Sequence, residues 1–243
     1  MKTVIIVQAR MTSTRLPGKV LKEVLGKPLL EYQIERLRRV NLADDIVIAT
    51  TINETDLPIV QLCEKLNIAY FRGSEEDVLS RYYYAAVQYQ ADAVVRITSD
   101  CPIIDPRLVD EVIALYRNNY PQFDYVSNVG KRTFPRGMDT EVFLFQALQE
   151  AHREATLPED REHVTPFIRR NTGRYKAANL RYPEDQSAHR WTVDTPEDFA
   201  LIEKIIVALA DCRPEFTLED CLRLLRENPE WSSINEAIKQ KES

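Results

Sequence analysis

Apolar and polar residues show two different periodic patterns along the first half of the chain. Short β-branched runs alternate with longer segments whose apolar residues recur at helical spacing, which is typical of βαβ units and a parallel sheet. The first of these helical segments should bury one face, formed by Leu29, Leu30, Ile34 and Leu37. The pattern predicts strands over residues 3–7, 46–50, 69–71 and 93–97, separated by helices that begin near Pro28, Thr55 and Asp77.

The order of elements becomes mixed after the middle of the chain. Thr195 is placed to cap a helix that Pro196 opens. No repeat, low-complexity tract or linker interrupts residues 1–243. We therefore expect one α/β domain with a mixed, mainly parallel sheet flanked by helices, and a helical, polar C-terminal tail over residues 216–243. The other predicted elements are strands over residues 125–127, 141–145, 175–180 and 191–194, and a helix over 161–170.

Composition and charge exclude several classes of protein. The 243 residues are 44% hydrophobic and include 6 Gly, which suits one large core. A formal net charge of -6 argues against a nucleic-acid partner, since such proteins usually present a basic face. The first apolar run stops before Arg10 and is too short for a secretory signal or a membrane span, so we expect a cytoplasmic protein with no membrane partner. The four cysteines lack metal-binding spacing and should be reduced and mostly buried.

A cationic segment follows the first predicted strand. Residues 10–19 read RMTSTRLPGK and combine three cations, three hydroxyl side chains and a glycine. Open α/β sheets bind ligands at the carboxyl ends of their strands, so this loop is placed to receive phosphates, whose charge Arg10, Arg15 and Lys19 would offset. The segment matches neither the GxxxxGK[ST] loop nor the GxGxxG loop, which disfavours kinases and dehydrogenases. A solvated basic turn is the alternative interpretation.

Two aspartates follow predicted strands that are far apart in the sequence. Asp100 comes shortly after the strand over 93–97, and Asp194 ends the strand over 191–194. If these strand ends share one edge of the sheet, both carboxylates reach the cationic loop, and Mg²⁺ is commonly held by one or two carboxylates together with substrate phosphates. Taken alone, each aspartate is explained equally well as a helix cap or a turn residue.

Three motifs in this order resemble those of the CMP-sugar synthetases. They are VQAR with RLPGK in residues 7–19, the turn Ser99-Asp100-x-Pro, and the segment Val193-Asp194-Thr-Pro-Glu-Asp198. Within that superfamily the chain is most similar to the spore coat polysaccharide biosynthesis cytidylyltransferases, and the 3-deoxy-manno-octulosonate cytidylyltransferases are more distant relatives. The resemblance spans nearly the whole chain. It implies a Rossmann-like nucleotidyltransferase fold, CTP as a substrate, Mg²⁺ as a cofactor and a homodimer.

The resemblance also implies roles for individual residues. It assigns catalysis to Arg10, Lys19, Asp100 and Asp194, with the two aspartates as magnesium ligands. Arg81 lies close to an arginine that borders the cytidine pocket of the relatives. The nucleotide-binding residues that the resemblance implies are Ala9, Arg10, Ser13, Arg15, Gly18, Lys19, Arg81 and Ser99.

Residues 134–141 depart from the octulosonate enzymes, which place a hydrophobic, Tyr-containing strand in the acceptor pocket. Here the segment reads FPRGMDTE, so we expect a different acceptor. Arg136 would bind an acidic group, and Asp139 and Glu141 would accept hydrogen bonds from hydroxyls or an amine. His163 belongs to a Glu-His pair that the relatives also carry and is a further acceptor-binding candidate. A surface hairpin for the segment, and a structural helix residue for His163, are the alternatives.

The sequence therefore predicts a nucleotidyltransferase that moves CMP from CTP to a hydroxyl of a sugar acid or related small molecule and releases pyrophosphate. Surface polysaccharide or glycoconjugate biosynthesis is the expected setting. A nucleotide-sugar-dependent glycosyltransferase of similar architecture is one alternative, and a cytidylyltransferase for a phosphonate or a polyol phosphate is another. A non-catalytic subunit is a third, which the presence of both aspartates and Lys19 disfavours.

Overall fold

The computed structural model describes residues 1–210 and 212–238. In this part of the chain, a seven-stranded sheet has the order β5-β4-β1-β6-β8-β7-β9, and β2 and β3 form a short hairpin. The strands are β1 (Thr3–Gln8), β2 (Glu23–Val24), β3 (Lys27–Pro28), β4 (Asp45–Thr51), β5 (Ala69–Gly73), β6 (Ala93–Thr98), β7 (Tyr125–Ser127), β8 (Glu141–Leu144) and β9 (Ala177–Asn179).

Most strands of the large sheet are parallel. Strands β5, β4, β1 and β6 pair in parallel, β8 runs antiparallel to β6 and β7, and β9 is parallel to β7. The predicted α/β class with a mixed, mainly parallel sheet is confirmed. Gln8 at the end of β1 lies beside Thr98 at the end of β6, so the segments that follow these two strands leave from the same edge.

Helices cover both faces of the sheet. Ile5 and Val7 of β1 belong to one hydrophobic cluster, and Val4 and Ile6 belong to another. Successive side chains of a strand point to opposite faces, so β1 is buried on both sides, which explains its continuous apolar sequence. The helices are α1 (Leu29–Leu37), α2 (Leu57–Lys65), α3 (Val78–Gln88), α4 (Pro106–Asn118), α5 (Phe145–Glu154), α6 (Pro158–His163), α7 (Pro166–Arg170), α8 (Pro196–Leu209), α9 (Leu218–Glu227) and α10 (Pro229–Ser232).

The first half of the chain follows its sequence pattern closely. Helix α1 begins one residue after Pro28, and its predicted apolar face is at most 1% exposed. Helix α3 begins after Asp77, whose carboxylate accepts the amide of Ser80 over 2.9 Å. Short-range periodicity was sufficient here because each element buries a face that its own sequence marks as apolar.

The single helix predicted over residues 161–170 is wrong. The segment forms the end of α6 and the whole of α7, and Val164 between them has a φ of 72°, outside the helical range. Pro166 then starts α7, where its missing amide costs no helical hydrogen bond. The periodicity of the segment hid this break.

The strand predicted over residues 191–194 is also wrong. The amide of Trp191 donates to the carbonyl of Arg136 over 2.8 Å, and the amide of Val193 donates to the carbonyl of Asp100 over 2.8 Å. The segment therefore bridges two loops and joins no ladder of the sheet. Thr195 does cap α8, through a reciprocal capping box with Asp198.

The C-terminal segment is helical, as predicted, but it is not polar on every side. Helix α9 buries one apolar face, formed by Leu218, Cys221, Leu222 and Leu225, in the larger hydrophobic cluster. Residues 239–243 of the predicted tail lie outside the described residues. Helices α4 and α5 were missing from the sequence prediction, and the strand predicted over 175–180 is shorter, at Ala177–Asn179.

The cysteines are free, as expected, and three of the four are buried. Cys212 is the exposed one. No helix within the described ranges is long and apolar enough to cross a bilayer.

Candidate active site

The cationic loop after β1 is closed and anchored through its backbone. Gly18 donates its amide to the carbonyl of Met11 over 2.9 Å, and its φ of 67° is the left-handed conformation that glycine adopts at little cost. The amide of Met11 donates to Asp56 over 2.7 Å. Asp56 is 1% exposed and also accepts the hydroxyl of Thr51 over 2.5 Å. A buried carboxylate beyond β4 therefore sets the position of the loop.

Lys19 lies between the two aspartates. Its Nζ is 2.8 Å from Asp194 Oδ1 and 3.8 Å from Asp100 Oδ2. Thr98 donates its hydroxyl to Asp100 Oδ1, so Asp100 is held from the end of β6. The structure thus brings the cationic loop and both aspartates to one edge of the sheet.

Asp194 is surrounded by positive charge. Arg15 Nη2 and Arg190 Nη2 lie 3.0 Å and 2.9 Å from Asp194 Oδ2, on the side opposite to the oxygen that Lys19 contacts. Burial raises the pKa of this carboxyl, but attraction to Lys19, Arg15 and Arg190 outweighs burial, and the pKa of Asp194 lies below its usual value. Asp194 is therefore ionised at neutral pH.

A cavity of about 560 Å³ opens beside these charges. Gly18 is the one predicted nucleotide-binding residue that is absent from its wall, because Gly18 shapes the backbone of the loop instead. The wall includes Ala9, Arg10, Ser13, Arg15, Lys19, Arg81, Ser99, Asp100 and Asp194.

Arg81 and Glu75 also line the first cavity. Arg81 is 2% exposed and donates Nη1 to the carbonyl of Ser74 over 2.9 Å, while its buried Nε has no partner in the described part of the chain. Glu75 accepts hydrogen bonds from Arg10 and Thr12 of the loop. These contacts tie the cationic loop to the segment that follows β5.

A second cavity, of about 720 Å³, adjoins the first. The two cavities share Asp100, Asp194 and His163 in their walls. A molecule in the second cavity would therefore meet a molecule in the first at the aspartates. The wall contains all four predicted acceptor-binding residues, Arg136, Asp139, Glu141 and His163.

Glu141 is already engaged within the protein. It is 3% exposed, pairs with Arg96, and accepts the hydroxyls of Tyr125 and Thr165 over 2.6 Å and 2.7 Å. Burial raises the pKa of Glu141, but Arg96 and the two hydroxyl donors outweigh burial and hold the pKa below its usual value. These contacts make Glu141 a support for the cavity wall.

Arg136 is a cation of this wall that is available to a ligand. Its neighbour Arg132 binds both oxygens of Asp139, whereas the Arg136 guanidinium makes no hydrogen bond or ion pair within residues 1–210 and 212–238. Burial and repulsion from Arg132 lower the pKa of Arg136, although nearby Asp139 partly offsets them. An anionic ligand would relieve this repulsion.

Gly137 lets the wall of the second cavity approach the segment that ends at Asp194. A Cβ at Gly137 would lie 2.7 Å from the carbonyl of Trp191, and the φ of Gly137 is 100°. Only glycine fits such an approach without displacing backbone. The close contact lets Arg136 pair its backbone with Arg190, next to the charge cluster.

The donor set at Asp100 and Asp194 fits a magnesium ion held jointly with a nucleotide. The Lys19 ammonium lies within 3.8 Å of both carboxylates, so a positive charge is accommodated between them. No group of three or more His, Cys, Asp or Glu side chains among the described residues could hold a metal alone. Mg²⁺ often takes one or two carboxylates and completes its coordination with substrate phosphates and water.

Comparison with known sequences decides the family. The sequence model of the cytidylyltransferases matches residues 4–234. The chain belongs to the cytidylyltransferase family. The spore coat polysaccharide biosynthesis protein SpsF of Bacillus subtilis is 35% identical over 239 residues, which cover 96% of this chain and 97% of SpsF. An uncharacterised protein of Methanocaldococcus jannaschii is 39% identical, with 99% and 97% covered. A 3-deoxy-manno-octulosonate cytidylyltransferase of Chlamydia trachomatis is 30% identical over 176 residues, with 68% and 67% covered.

Solved structures agree with this assignment. A cytidylyltransferase of Leptospira borgpetersenii superposes with a TM-score of 0.92 at 32% identity, and both chains are covered completely. CMP:2-keto-3-deoxy-manno-octonic acid synthetase in complex with CTP has a TM-score of 0.65 at 19% identity, covering 86% of this chain and 99% of its own. A manganese complex of a Mycobacterium tuberculosis protein has a TM-score of 0.58 at 15% identity, covering 84% and 99%. The last two likenesses concern the fold alone. The cytidylyltransferase described here is thus a nucleotidyltransferase by family and by fold.

Several residues of the cytidylyltransferase site were missed by sequence analysis. Asp56 anchors the cationic loop, Glu75 binds two of its side chains, and Arg190 contacts Asp194. None of the three was marked by the sequence pattern around it. Asp56 and Glu75 contact loop residues that are far away in the chain, and Arg190 precedes the motif that contains Asp194. The basic pairs Lys131-Arg132 and Arg169-Arg170 were a usable signal for the second cavity, whose wall contains Arg132, Arg169 and Arg170.

Proposed function

We propose that this cytidylyltransferase joins the CMP part of CTP to a hydroxyl of a sugar acid or a related anionic small molecule and releases pyrophosphate. The observation that carries the proposal is that Asp100 and Asp194 belong to the walls of two adjoining cavities, with Lys19 of the first cavity between the two carboxylates. A group transfer between two bound substrates needs such an arrangement, because the reacting atoms must be held about 3–3.5 Å apart. The similarity to SpsF supports a setting in polysaccharide or glycoconjugate biosynthesis.

The first cavity is proposed to bind CTP. Arg10, Arg15 and Lys19 of the cationic loop offset the charge of the triphosphate, and the two arginines can each form bidentate contacts with phosphate oxygens. The CTP complex of the octonic acid synthetase, which shares the fold, supports CTP as the nucleotide. Arg81, which lines the same cavity, has a buried Nε without a hydrogen-bond partner among the described residues.

The reaction is proposed to be an in-line displacement at the α-phosphorus. The acceptor oxygen forms a bond to that phosphorus while the bond from the phosphorus to the bridging oxygen of pyrophosphate breaks. The cations of the loop stabilise the negative charge that develops on the departing pyrophosphate. The hydroxyl proton of the acceptor passes to a carboxylate of the cavity wall or to water.

Asp100 and Asp194 are proposed to hold Mg²⁺ together with the nucleotide. When bound, the ion would offset phosphate charge and orient the reacting group. The manganese complex with the same fold supports a divalent ion. The second cavity is proposed to bind the acceptor, with Arg136 on its acidic group.

Two measurements test the proposal together. The enzyme is incubated with CTP, Mg²⁺ and a metabolite extract, pyrophosphate release is followed, and mass spectrometry identifies the metabolite that becomes linked to CMP. We expect Asp100→Asn and Asp194→Asn to abolish both signals while the fold is retained. Asp185→Asn is the control, because Asp185 accepts the amide of Ser187 in an exposed turn and lines neither cavity. Native pyrophosphate release from both site variants would refute the proposal.

A nucleotide panel separates the alternatives. Thermal shifts with CTP, UTP, GTP and ATP show which base the first cavity accepts, and we expect CTP to stabilise most. A nucleoside diphosphate product formed from a nucleotide sugar, without pyrophosphate, would identify a glycosyltransferase instead. A phosphonate or polyol phosphate found linked to CMP would keep the cytidylyl transfer and change the acceptor class.

A further inference from the structure

The two oxygens of Asp194 face different surroundings. Oδ1 lies 2.8 Å from the Lys19 ammonium, the same group that lies 3.8 Å from Asp100 Oδ2. Oδ2 lies 2.9 Å from Arg190 Nη2 and 3.0 Å from Arg15 Nη2. Oδ1 is therefore the oxygen that Asp194 directs toward the space shared with Asp100.

Arg190 and Arg15 are not equivalent partners of Oδ2. The Arg15 side chain is 37% exposed and belongs to the cationic loop, so a triphosphate can attract it away. The Arg190 side chain is 7% exposed and is also held by Asp198, with Nε 2.9 Å from Asp198 Oδ1 and the same Nη2 3.0 Å from Asp198 Oδ2. We therefore expect Arg190 to keep its contact with Asp194 Oδ2 when a nucleotide binds.

The orientation of the Asp198 carboxylate is fixed by several hydrogen bonds. It has no exposed surface and accepts the backbone amides of Asp194 and Thr195 over 3.0 Å and 3.1 Å. Asn235 donates its side-chain amide to Asp198 Oδ1 over 2.9 Å and to the carbonyl of Arg190 over 2.9 Å. The start of α8 and a residue near the C-terminus therefore hold the guanidinium in one orientation.

Asp100 is restricted in a similar way. Thr98 donates its hydroxyl to Asp100 Oδ1, and Asp100 Oδ2 is the oxygen nearest to Lys19. Each aspartate thus has one oxygen occupied by a protein donor and one oxygen directed at the shared position.

We propose that Arg190, with Thr98 on the opposite side, determines which divalent ion this enzyme accepts, by leaving each aspartate a single oxygen for the metal. The inference rests on the proposed position of the metal between Asp100 and Asp194. A six-coordinate Mg²⁺ takes carboxylates through single oxygens in near-ideal octahedral geometry, whereas Ca²⁺ takes more oxygens and often binds carboxylates through both. Blocking the second oxygens therefore favours Mg²⁺ and Mn²⁺ over Ca²⁺. Arg190 acts here as a positioning residue, since it contacts Asp194, the proposed metal ligand, and not the ion itself.

The test measures metal binding without turnover. Mn²⁺ bound to the enzyme in the presence of CTP, and in the absence of an acceptor, is followed by electron paramagnetic resonance and displaced with Mg²⁺ or Ca²⁺, with CTP alone as a blank. The native protein should prefer Mg²⁺ in this competition. In Arg190→Lys, which keeps the charge but not the planar fork, we expect Mn²⁺ to bind ~10-fold more weakly and the preference for Mg²⁺ over Ca²⁺ to fall.

Thr98→Val is the second variant, because it removes the hydroxyl donor and keeps the shape of the side chain. It should shift the preference toward Ca²⁺ as Arg190→Lys does, so the inference does not depend on one buried arginine tolerating substitution. Arg213→Lys is the matched control. Arg213 pairs with Asp220, the capping-box carboxylate of α9, as Arg190 pairs with Asp198 of α8, but it contacts neither aspartate of the site.

Each result decides a separate claim. A native ratio of Mg²⁺ to Ca²⁺ affinity in folded Arg190→Lys and Thr98→Val overturns the inference, and so does an equal change in Arg213→Lys. Asp194→Asn supplies the reference for the metal position. If Asp194→Asn binds Mn²⁺ as the native protein does, the proposed metal site itself is wrong. Loss of Mn²⁺ in Asp194→Asn with an unchanged ratio in the other two variants leaves the proposed function standing without this inference.

Discussion

Lys19 and Asp194 are separated by 175 positions in the chain, and their side chains meet at 2.8 Å. The contact joins the loop after β1 to the segment before α8. Lys19 contacts the oxygen of Asp194 that is directed toward Asp100. In the proposed complex its ammonium stands where a divalent ion and a triphosphate would share charge, and we expect nucleotide binding to draw Lys19 toward the phosphates.

Replacement of Lys19 tests the first cavity. We expect Lys19→Met to lower kcat with CTP by ~100- to 1000-fold, the usual cost of removing one donor that stabilises a charge formed in the reaction. Initial rates of pyrophosphate release measure the effect. Lys27→Met is the control, since Lys27 forms a comparable ion pair of 2.8 Å with Glu35 and lines neither cavity. Equal rates for the two variants would mean that the cationic segment is a surface loop.

Replacement of Asp56 tests how the loop is positioned. Asp56→Ala leaves the amide of Met11 without its buried acceptor, so we expect a loss of about 2 kcal/mol in the free energy of unfolding and a raised KM for CTP. The readouts are urea unfolding and steady-state kinetics. Asp110→Ala is matched to it, because Asp110 accepts the amides of Asn41 and Leu42 in a loop outside both cavities. A native KM for CTP in Asp56→Ala would show that Asp56 does not position the cationic loop for nucleotide binding.

Alanine substitutions at Gly137 and Gly26, which both have a positive φ, distinguish the effect of a steric clash from that of backbone strain. An added Cβ at Gly137 would meet the backbone of Trp191 at 2.7 Å, whereas one at Gly26 would meet nothing within 4 Å. Both substitutions impose strain, but only Gly137→Ala should force the wall of the second cavity away from Asp194. We expect Gly137→Ala to cost about 1–3 kcal/mol more than Gly26→Ala, and to raise the KM for the acceptor. Thermal unfolding of the two variants side by side gives the comparison, and equal losses would contradict it.

Glu141 predicts a pH-dependent stability. Its pKa is lowered in the folded protein, so its contribution is present above the ordinary value of 4.5 and is lost as the pH falls through the folded pKa. We expect Glu141→Gln to lose about 3 kcal/mol at neutral pH, because Arg96 is left without its buried partner. The difference from the native protein should shrink as urea unfolding is repeated at successive steps below pH 4.5. Glu219→Gln, at an exposed pair with Arg107, should lose no more than about 1 kcal/mol, and a pH-independent difference at Glu141 would contradict the assignment.

The central part of the fold was readable from local patterns. β1, β4 and β6 are short, mainly apolar runs because both faces of the sheet are covered there, and the helices between the parallel strands carry one apolar face each. The break at Val164 and the extended segment over residues 191–194 were not readable. In each case the backbone conformation depends on hydrogen-bond partners or prolines whose effect the hydrophobic period does not record.

The candidate site divides in the same way. The charges of the cationic loop and the two aspartates were visible as motifs at strand ends, and the structure brings them together. Their individual roles, the single domain, the homodimer and the cytoplasmic location stay predictions. Asp56 and Arg190 belong to none of the sequence motifs. Their roles are seen only in the structure, where Asp56 binds the amide of Met11 and Arg190 binds Asp194.

By itself, the sequence determined the family, the parallel strands and the identity of the charged groups, because these depend on residue types and on spacings within one segment. The tertiary structure decided which oxygen of each aspartate is directed at the shared position and which arginines of the second cavity are already paired with carboxylates. Those properties arise where segments far apart in the chain share hydrogen-bond donors and positive charge, and no local pattern records that sharing.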